Sequence, residues 1–404
     1  MKISKVKLIS LLIIGTLVYS ISFKFFYFLL FTNIIYLTYF FRKNHFIFFI
    51  NFFYLIFILI LIPYVFFDIP YHIYTTYIND ENTFRVLYYN FLFHNLLLYN
   101  VNKTSQIQLE KFYRPSSRIS YFSIIILFIF ILNIVLNGSG FALINKSYNI
   151  DSYSTILFEY SIPFIFILYL SYTSKKQLFL IRSLNILFII LPLLYGRRLP
   201  AIFLILLLLF FSNYTRVSFR KNLFFTFFGL IFIQTIGLIR DFNTIDINFL
   251  NFFLSVDENG VMSNNQGGIM VSAVTYLGLI DNGNFDLLWR AKSFLGNFTG
   301  LILPSSLNIP ETYVNFEAMK YANIPGNGGF ASTYFYIWGG IPFIIFFGVL
   351  MNYIFRNINK NIWIFTIFVV LIVLFPRWYS YNIFPAFKIL FWTMILVLLK
   401  KIRI

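Results

Sequence analysis

Arg197 and Arg198 stand side by side in PLLYGRRLPAIFLILLLLFF, residues 192–211, between two hydrocarbon runs. A guanidinium near a bilayer costs free energy unless a partner offsets it, so such arginines are functional suspects. Their planar forks of donors match phosphate or carboxylate. Arg240 in GLIRDFN, Arg290 in LLWRAK and Arg377 in LFPRWYS have the same setting, each beside an apolar run. Several of them at one membrane surface would make a pyrophosphate site. Snorkelling to lipid headgroups is the competing reading for each, and sequence alone does not bring them together.

The candidate proton acceptors lie mainly in one stretch. Between Arg240 and about Phe330 the chain carries Asp241, Asp246, Asp257, Glu258, Asp281, Asp286, Glu311 and Glu317. A carboxylate or imidazole beside an acceptor hydroxyl would act as a general base, worth about 100- to 10,000-fold in rate. Asp241, Glu311, Glu317 and His72 are the candidates, unranked by sequence. The only histidines are His45, His72 and His94, none at a metal-ligand spacing, and Cys is absent. No P-loop or GxGxxG fingerprint occurs, so neither metal nor nucleotide nor any other cofactor is expected.

These residues are carried by a strongly apolar chain of 404 residues, 59% hydrophobic and 11% charged, with a mean hydropathy of +0.79. That composition excludes an ordinary soluble domain and predicts an all-α integral membrane protein. The 57 Phe and 29 Tyr have a bland explanation in AT-rich coding, since Ile, Asn and Lys are also abundant. The opening MKISKVKLISLLIIGTLVYSIS has the basic-then-apolar order of a signal peptide but no A-x-A-like cleavage site, so it is expected to stay as the first helix.

A membrane helix needs about 20 apolar residues. On that rule about twelve spans are expected, near 7–22, 25–41, 46–67, 83–100, 119–137, 153–173, 178–195, 199–213, 222–239, 331–355, 361–376 and 382–399. With the N- and C-termini cytoplasmic, the inner segments collect nineteen Lys and Arg against one acid, Glu110. Dropping the fourth span, whose YNFLFHNLLLYN is the least apolar, would place the basic loop KTSQIQLEKFYRPSSR outside, so the charge pattern keeps it. The net charge of +17 thus has a topological cause, and nucleic acid need not be a partner.

Against that background Arg197 and Arg198 fall on the outer face, where bases are under-represented. Their helix from Leu199 to about Asn213 is too short for a hydrocarbon core of about 30 Å, which draws its ends inward. Pro200 suits a first helical turn and Gly196 a tight turn between spans.

The chain therefore divides into spans 1–9 over residues 1–239, one long outer loop over 240–330, and spans 10–12 over 331–404. Long loops in compact proteins are usually functional. Within this one, GGIMVSAVTYLGLI and FDLLWRAKSFLGNFTGLIL read as amphipathic helices lying at the interface. Pro310 and Glu311 open a further helix, ETYVNFEAMKYA. Acids, Asn and aromatic rings suit a carbohydrate and equally suit an ordinary extracellular loop. At the loop exit Gly326, Gly328 and Gly329 permit a tight turn, while Gly339 and Gly340 permit close helix approach.

In this organisation the chain resembles the O-antigen polymerase (Wzy) group of bacterial polysaccharide polymerases. The resemblance rests on about twelve spans with cytoplasmic ends, the Gly196–Arg198 element on the outer face, the late dominant loop, and the exit GNGGFASTYFYIWGGIP. Members often carry an acid shortly after the glycine-rich turn, where this chain has Ser332, Thr333 and Tyr334. The resemblance implies a GT-C-like architecture and a glycosyltransferase of the bacterial cytoplasmic (inner) membrane. It would join repeat-unit oligosaccharides carried on undecaprenyl pyrophosphate for O-antigen or capsule synthesis. It further implies the carrier-linked oligosaccharide and membrane lipid as ligands, with a chain-length regulator and a flippase as partners. An O-antigen ligase shares the architecture and donor, a lipid-linked oligosaccharide flippase would be a transporter, and a membrane acyltransferase would favour a His beside an early span.

Overall fold

The computed structural model describes residues 13–18, 22–67, 77, 79–102, 107–137, 152–195, 197–212, 265–300, 310–322, 324, 328–381 and 383–402. Every regular element among them is helical: α1 (Phe23–Phe40), α2 (His45–Ile60), α3 (Ile62–Phe67), α4 (Asp80–Leu98), α5 (Ser117–Asn137), α6 (Ser152–Ser171), α7 (Lys175–Leu194), α8 (Arg198–Phe211), α9 (Asn265–Asp281), α10 (Leu287–Thr299), α11 (Val314–Ala318), α12 (Ala331–Arg356), α13 (Ile362–Val373), α14 (Phe375–Ser380) and α15 (Ile383–Ile402). Among the described residues, six segments are long and apolar enough to cross a membrane: Phe23–Phe40, His45–Phe67, Ser117–Leu136, Lys175–Leu194, Ala331–Arg356 and Ile383–Lys401. The described residues are thus all-helical, with the elements of a membrane protein. The side chains agree. On α5, Phe122, Ile125, Ile129, Leu132 and Leu136 are all exposed, and such a stripe is at home only against lipid or a partner.

The expected spans near 25–41, 46–67, 119–137, 178–195, 331–355 and 382–399 fall on these six segments. α6, α8 and α13 give shorter apolar helices. Most of the first expected span and all of the ninth lie outside the described residues.

The chain folds into two units. The first comprises residues 1–105, 247–357 and 375–388, and the second 106–246, 358–374 and 389–404.

In the first unit, α4 is the internal helix. Asn79 caps it by accepting from the Asn82 amide at 2.7 Å, and Asp80 and Glu81 in its first turn complement the positive helix end. Fourteen of its nineteen residues are buried, among them Asn82, Thr83, Asn90, His94 and Asn95. Its polar side chains are matched by α12, where the Ser332 hydroxyl lies 2.7 Å from Asn90 Oδ1 and Asn352 Nδ2 donates to the Leu97 carbonyl at 3.0 Å. Burial inside the protein rather than exposure to lipid explains why this helix tolerates so low a hydropathy.

Two expectations need correction. The segment GGIMVSAVTYLGLI is not an amphipathic surface helix: in α9, Ile269, Met270, Val271, Ala273, Val274, Tyr276, Leu277 and Leu279 are all at most 2% exposed. Its polar residues are small, and Ser272 donates to the Gly268 carbonyl at 3.0 Å, so they can be buried on every side. α10 does keep an exposed apolar strip of Leu288, Leu295 and Phe298. Secondly, Gly339 and Gly340 break α12 rather than merely easing its packing. Gly340 has φ +68° and ψ −160°, a conformation closed to residues with a Cβ.

In the second unit, α5 and α6 pair, with Ser120 donating to the Ser171 carbonyl at 3.1 Å. α7 and α8 form a tight hairpin, and Tyr169 of α6 stacks on Phe211 of α8 with ring centroids 4.5 Å apart.

Candidate functional site

Arg197 and Arg198 sit at the turn of the α7–α8 hairpin. The Arg197 amide donates to the Pro192 carbonyl at 2.7 Å. Arg197 is the residue before α8 and Arg198 its first, both half-buried, and no acid occupies the first helical turn. A helix N-terminus already carries roughly half a positive charge, so two guanidiniums there concentrate positive potential on one spot. α8 has 14 residues, a rise of about 21 Å, close to the expected length. Pro200 lies in its first turn, as expected.

The late segment assembles on the first half of α12. Tyr276 of α9 and Tyr334 of α12 converge on Asn315 of α11: Tyr334 donates to Asn315 Oδ1 at 3.0 Å, Tyr276 also hydrogen-bonds that oxygen, and the Tyr276 hydroxyl lies 2.9 Å from the Gly328 carbonyl. A Cβ on Gly329 would come within 2.9 Å of the Tyr276 ring and 3.2 Å of the Tyr334 ring. The glycine-rich exit is therefore needed where two buried tyrosines close over it. α10 is held to the 3-10 turn Pro310–Thr312 by Trp289 Nε1 donating to the Glu311 carbonyl at 3.1 Å and Asn297 Nδ2 to the Thr312 carbonyl at 3.3 Å.

The expected site residues divide accordingly. Glu317 is nearly buried on α11, with its carboxylate 2.8 Å from Lys320 Nζ and accepting from the Tyr321 hydroxyl at 3.4 Å. That carboxylate raises the Lys320 ammonium above its ordinary value, and Glu311 adds to the effect. Glu311 and Glu317 are thus neighbours, though the Glu311 side chain is exposed. Arg377 on α14 is half-buried and within electrostatic reach of the Tyr334 hydroxyl. Arg290 is engaged within the fold, where its Nη2 donates to the Tyr336 carbonyl at 2.9 Å and its Nε to the Ile337 carbonyl. These carbonyls end the first half of α12 just before the Gly339–Gly340 break, so the guanidinium caps a helix C-terminus, where a cation is favoured. His72, Arg240 and Asp241 lie outside the described residues.

Arg85 is a cation that sequence reading passes over. It forms an ion pair with Asp281 at the end of α9, 196 residues away, and lies beside Tyr336, which stacks on Tyr89 at 4.4 Å. Its only local signal is an arginine inside the first turns of a helix rich in Asn and Tyr. Among the described residues, no three His, Asp or Glu side chains are grouped so as to hold a metal ion. Compared with protein families, curated proteins and solved structures, the chain matches none.

Proposed function

We propose that the chain is a polysaccharide polymerase that joins oligosaccharide repeat units carried on undecaprenyl pyrophosphate, at the outer face of a bacterial cytoplasmic membrane. The observation that carries this reading is the paired guanidinium of Arg197 and Arg198 at the N-terminal end of a helix shorter than a bilayer is thick. A lipid-linked pyrophosphate offers the dense negative charge, at membrane depth, that such a spot favours. The reading includes about twelve spans with both termini cytoplasmic and a GT-C-like arrangement, the orientation resting on the positive-inside bias of the loops.

In the reaction, an acceptor sugar hydroxyl attacks the anomeric carbon of the donor. The C–O bond to the pyrophosphate breaks, and the carrier leaves as undecaprenyl pyrophosphate while a base takes the hydroxyl proton. Arg197, Arg198 and Arg240 would hold the leaving group and stabilise its developing charge, with Arg377 as a less central fourth. Glu317, Glu311, Asp241 and His72 are the candidate bases; among the described ones Glu317 is set apart by its burial and its 2.8 Å contact with Lys320 Nζ. Tyrosines, Trp289 and Asn in the late segment supply the stacking faces and hydrogen-bonding groups that sugars use.

Gene deletion with plasmid rescue, read on gels of surface and lipid-linked glycans, tests the reading. Single repeat units on the surface in place of a ladder are expected. Full-length polymer stranded on the carrier would instead make the chain a ligase, and repeat units trapped in the cytoplasmic leaflet a flippase.

A further inference from the structure

Inside the first unit, α2, α4, α12 and α14 bring six buried polar side chains into one region. Asn51, Asn90, His94, Thr333 and Tyr379 are at most 1% exposed and Tyr54 is 2% exposed. Among the described residues, Asn51 Nδ2, Tyr54 Oη, Asn90 Nδ2, His94 Nδ1, Thr333 Oγ1 and Tyr379 Oη have no hydrogen-bond partner. Their proximity is direct: the Tyr54 and His94 rings are 4.5 Å apart, Tyr54 and Tyr379 5.8 Å, and His94 and Tyr379 6.2 Å. Asn90 lies one helical turn from His94 on α4, and Thr333 follows Ser332, which bonds Asn90. A small cavity lined by Tyr54, Asn90, Met270 and Phe330 among others adjoins them.

Buried amides and hydroxyls rarely go unpaired, because each carries a desolvation cost that nothing repays. Six in one place, beside a cavity, indicate that something small and polar belongs there. The chemistry of the set narrows it. His94 Nε2 lies 2.8 Å from Asn51 Oδ1; an amide oxygen only accepts, so Nε2 carries a proton. The remaining five groups are two amide donors and three hydroxyls. Of the six, Tyr54 and Asn90 line the cavity, whose other walls are apolar and whose space is about that of a single water molecule; a guest there must accept from the Asn90 amide and exchange a hydrogen bond with the Tyr54 hydroxyl.

We infer that this region is a buried hydration site, in which an ordered water bridges Asn90 and Tyr54. The site is independent of the glycan chemistry proposed above. It also assigns a role to Asn90 of α4, the helix whose polarity is hardest to reconcile with a membrane setting.

Millisecond X-ray hydroxyl-radical labelling of the full-length protein in lipid nanodiscs tests it, because radicals born from bound water oxidise the side chains around it. Met270 lines the cavity and Met351, equally buried at 3% against 1% exposure, does not line it. Met270 and Tyr54 should be oxidised at least several-fold faster than Met351 and than Tyr27, a buried tyrosine whose hydroxyl donates to the Ile58 carbonyl. After rapid mixing into oxygen-18 water, the label at Met270 should retain oxygen-16 longer than that at exposed Met319. Asn90→Leu, which keeps volume and removes a water partner, should lower the Met270 rate. Equal rates at Met270 and Met351, or a Met270 label that exchanges as fast as Met319, would overturn the site.

Discussion

Arg85 and Asp281 meet at two points, with Nη1 and Nη2 2.5 and 3.2 Å from the two carboxylate oxygens. The pair ties the first turns of α4 to the last residue of α9, and its partners are unequally sheltered: the Arg85 side chain is 14% exposed and that of Asp281 44%. Asp281→Ala strands a mostly buried guanidinium and should cost about 1 to 3 kcal/mol. Arg85→Met leaves a carboxylate that water can solvate and should cost less than about 1 kcal/mol. Thermal melting in detergent reads the order, and a larger loss for Arg85→Met would show that the pair is not what holds the two helices.

The arginines at the α8 turn should behave otherwise. Arg197→Lys and Arg198→Lys keep the charge and lose the fork, removing one charge-assisted hydrogen bond of about 1.5 to 3 kcal/mol from the transition state, or about 10- to 150-fold in turnover. Polymer yield should fall by that factor at unchanged membrane expression and unchanged melting.

Arg290 separates capping from chemistry. Because it bonds the carbonyls of Tyr336 and Ile337, Arg290→Ala should lower melting by the equivalent of about 1.5 to 3 kcal/mol, with activity lost only in step with folded protein. Full stability with lost activity would return this arginine to the substrate site.

Gly340 is tied to its conformation. Gly340→Ala forces a Cβ onto φ +68° and ψ −160° and should destabilise by about 1 to 3 kcal/mol. Gly283, also at positive φ but with nothing within 4 Å of an added Cβ, should accept Asn at a cost below about 1 kcal/mol. Expression and melting of the two variants give the comparison.

Lys320 gives a pH signature. Its value is raised above the ordinary 10.5, chiefly by its hydrogen bond to Glu317. A raised folded value contributes stability that is complete below the unfolded value and lost as pH climbs through the folded one. The wild type should therefore lose stability relative to Glu317→Gln on the alkaline side, measured by melting from about pH 9 upward. The same alkaline profile in the wild type and Glu317→Gln would contradict the pairing.

Hydropathy made much of this fold legible. The six long apolar segments, the short helix after Arg198 and the late segment of short helices all follow from runs of apolar residues and their punctuation. The role of α4 was not legible: Asn90 and His94 look like poor membrane residues until α12 supplies Ser332 from 242 positions away. α9 departs from its expectation because small side chains such as Ser272 suggest a wet face, yet Ser272 bonds the Gly268 carbonyl of its own helix. Arg290 looked like its fellow arginines, since nothing near LLWRAK announces the broken helix whose carbonyls it binds. Arg197 and Arg198 stood out in sequence because the setting that makes them unusual, a tight turn between two apolar runs, is entirely local.

The central claim is best tested by reconstitution. The purified protein in proteoliposomes should convert undecaprenyl-pyrophosphate-linked repeat units of its host into a ladder of longer carrier-linked glycans, releasing one undecaprenyl pyrophosphate per bond formed. The Arg197→Lys and Arg198→Lys variants should slow that release in proportion to the ladder. A well-folded wild-type protein that binds the carrier-linked unit but forms no ladder, or moves it across the bilayer intact, would contradict a polymerase.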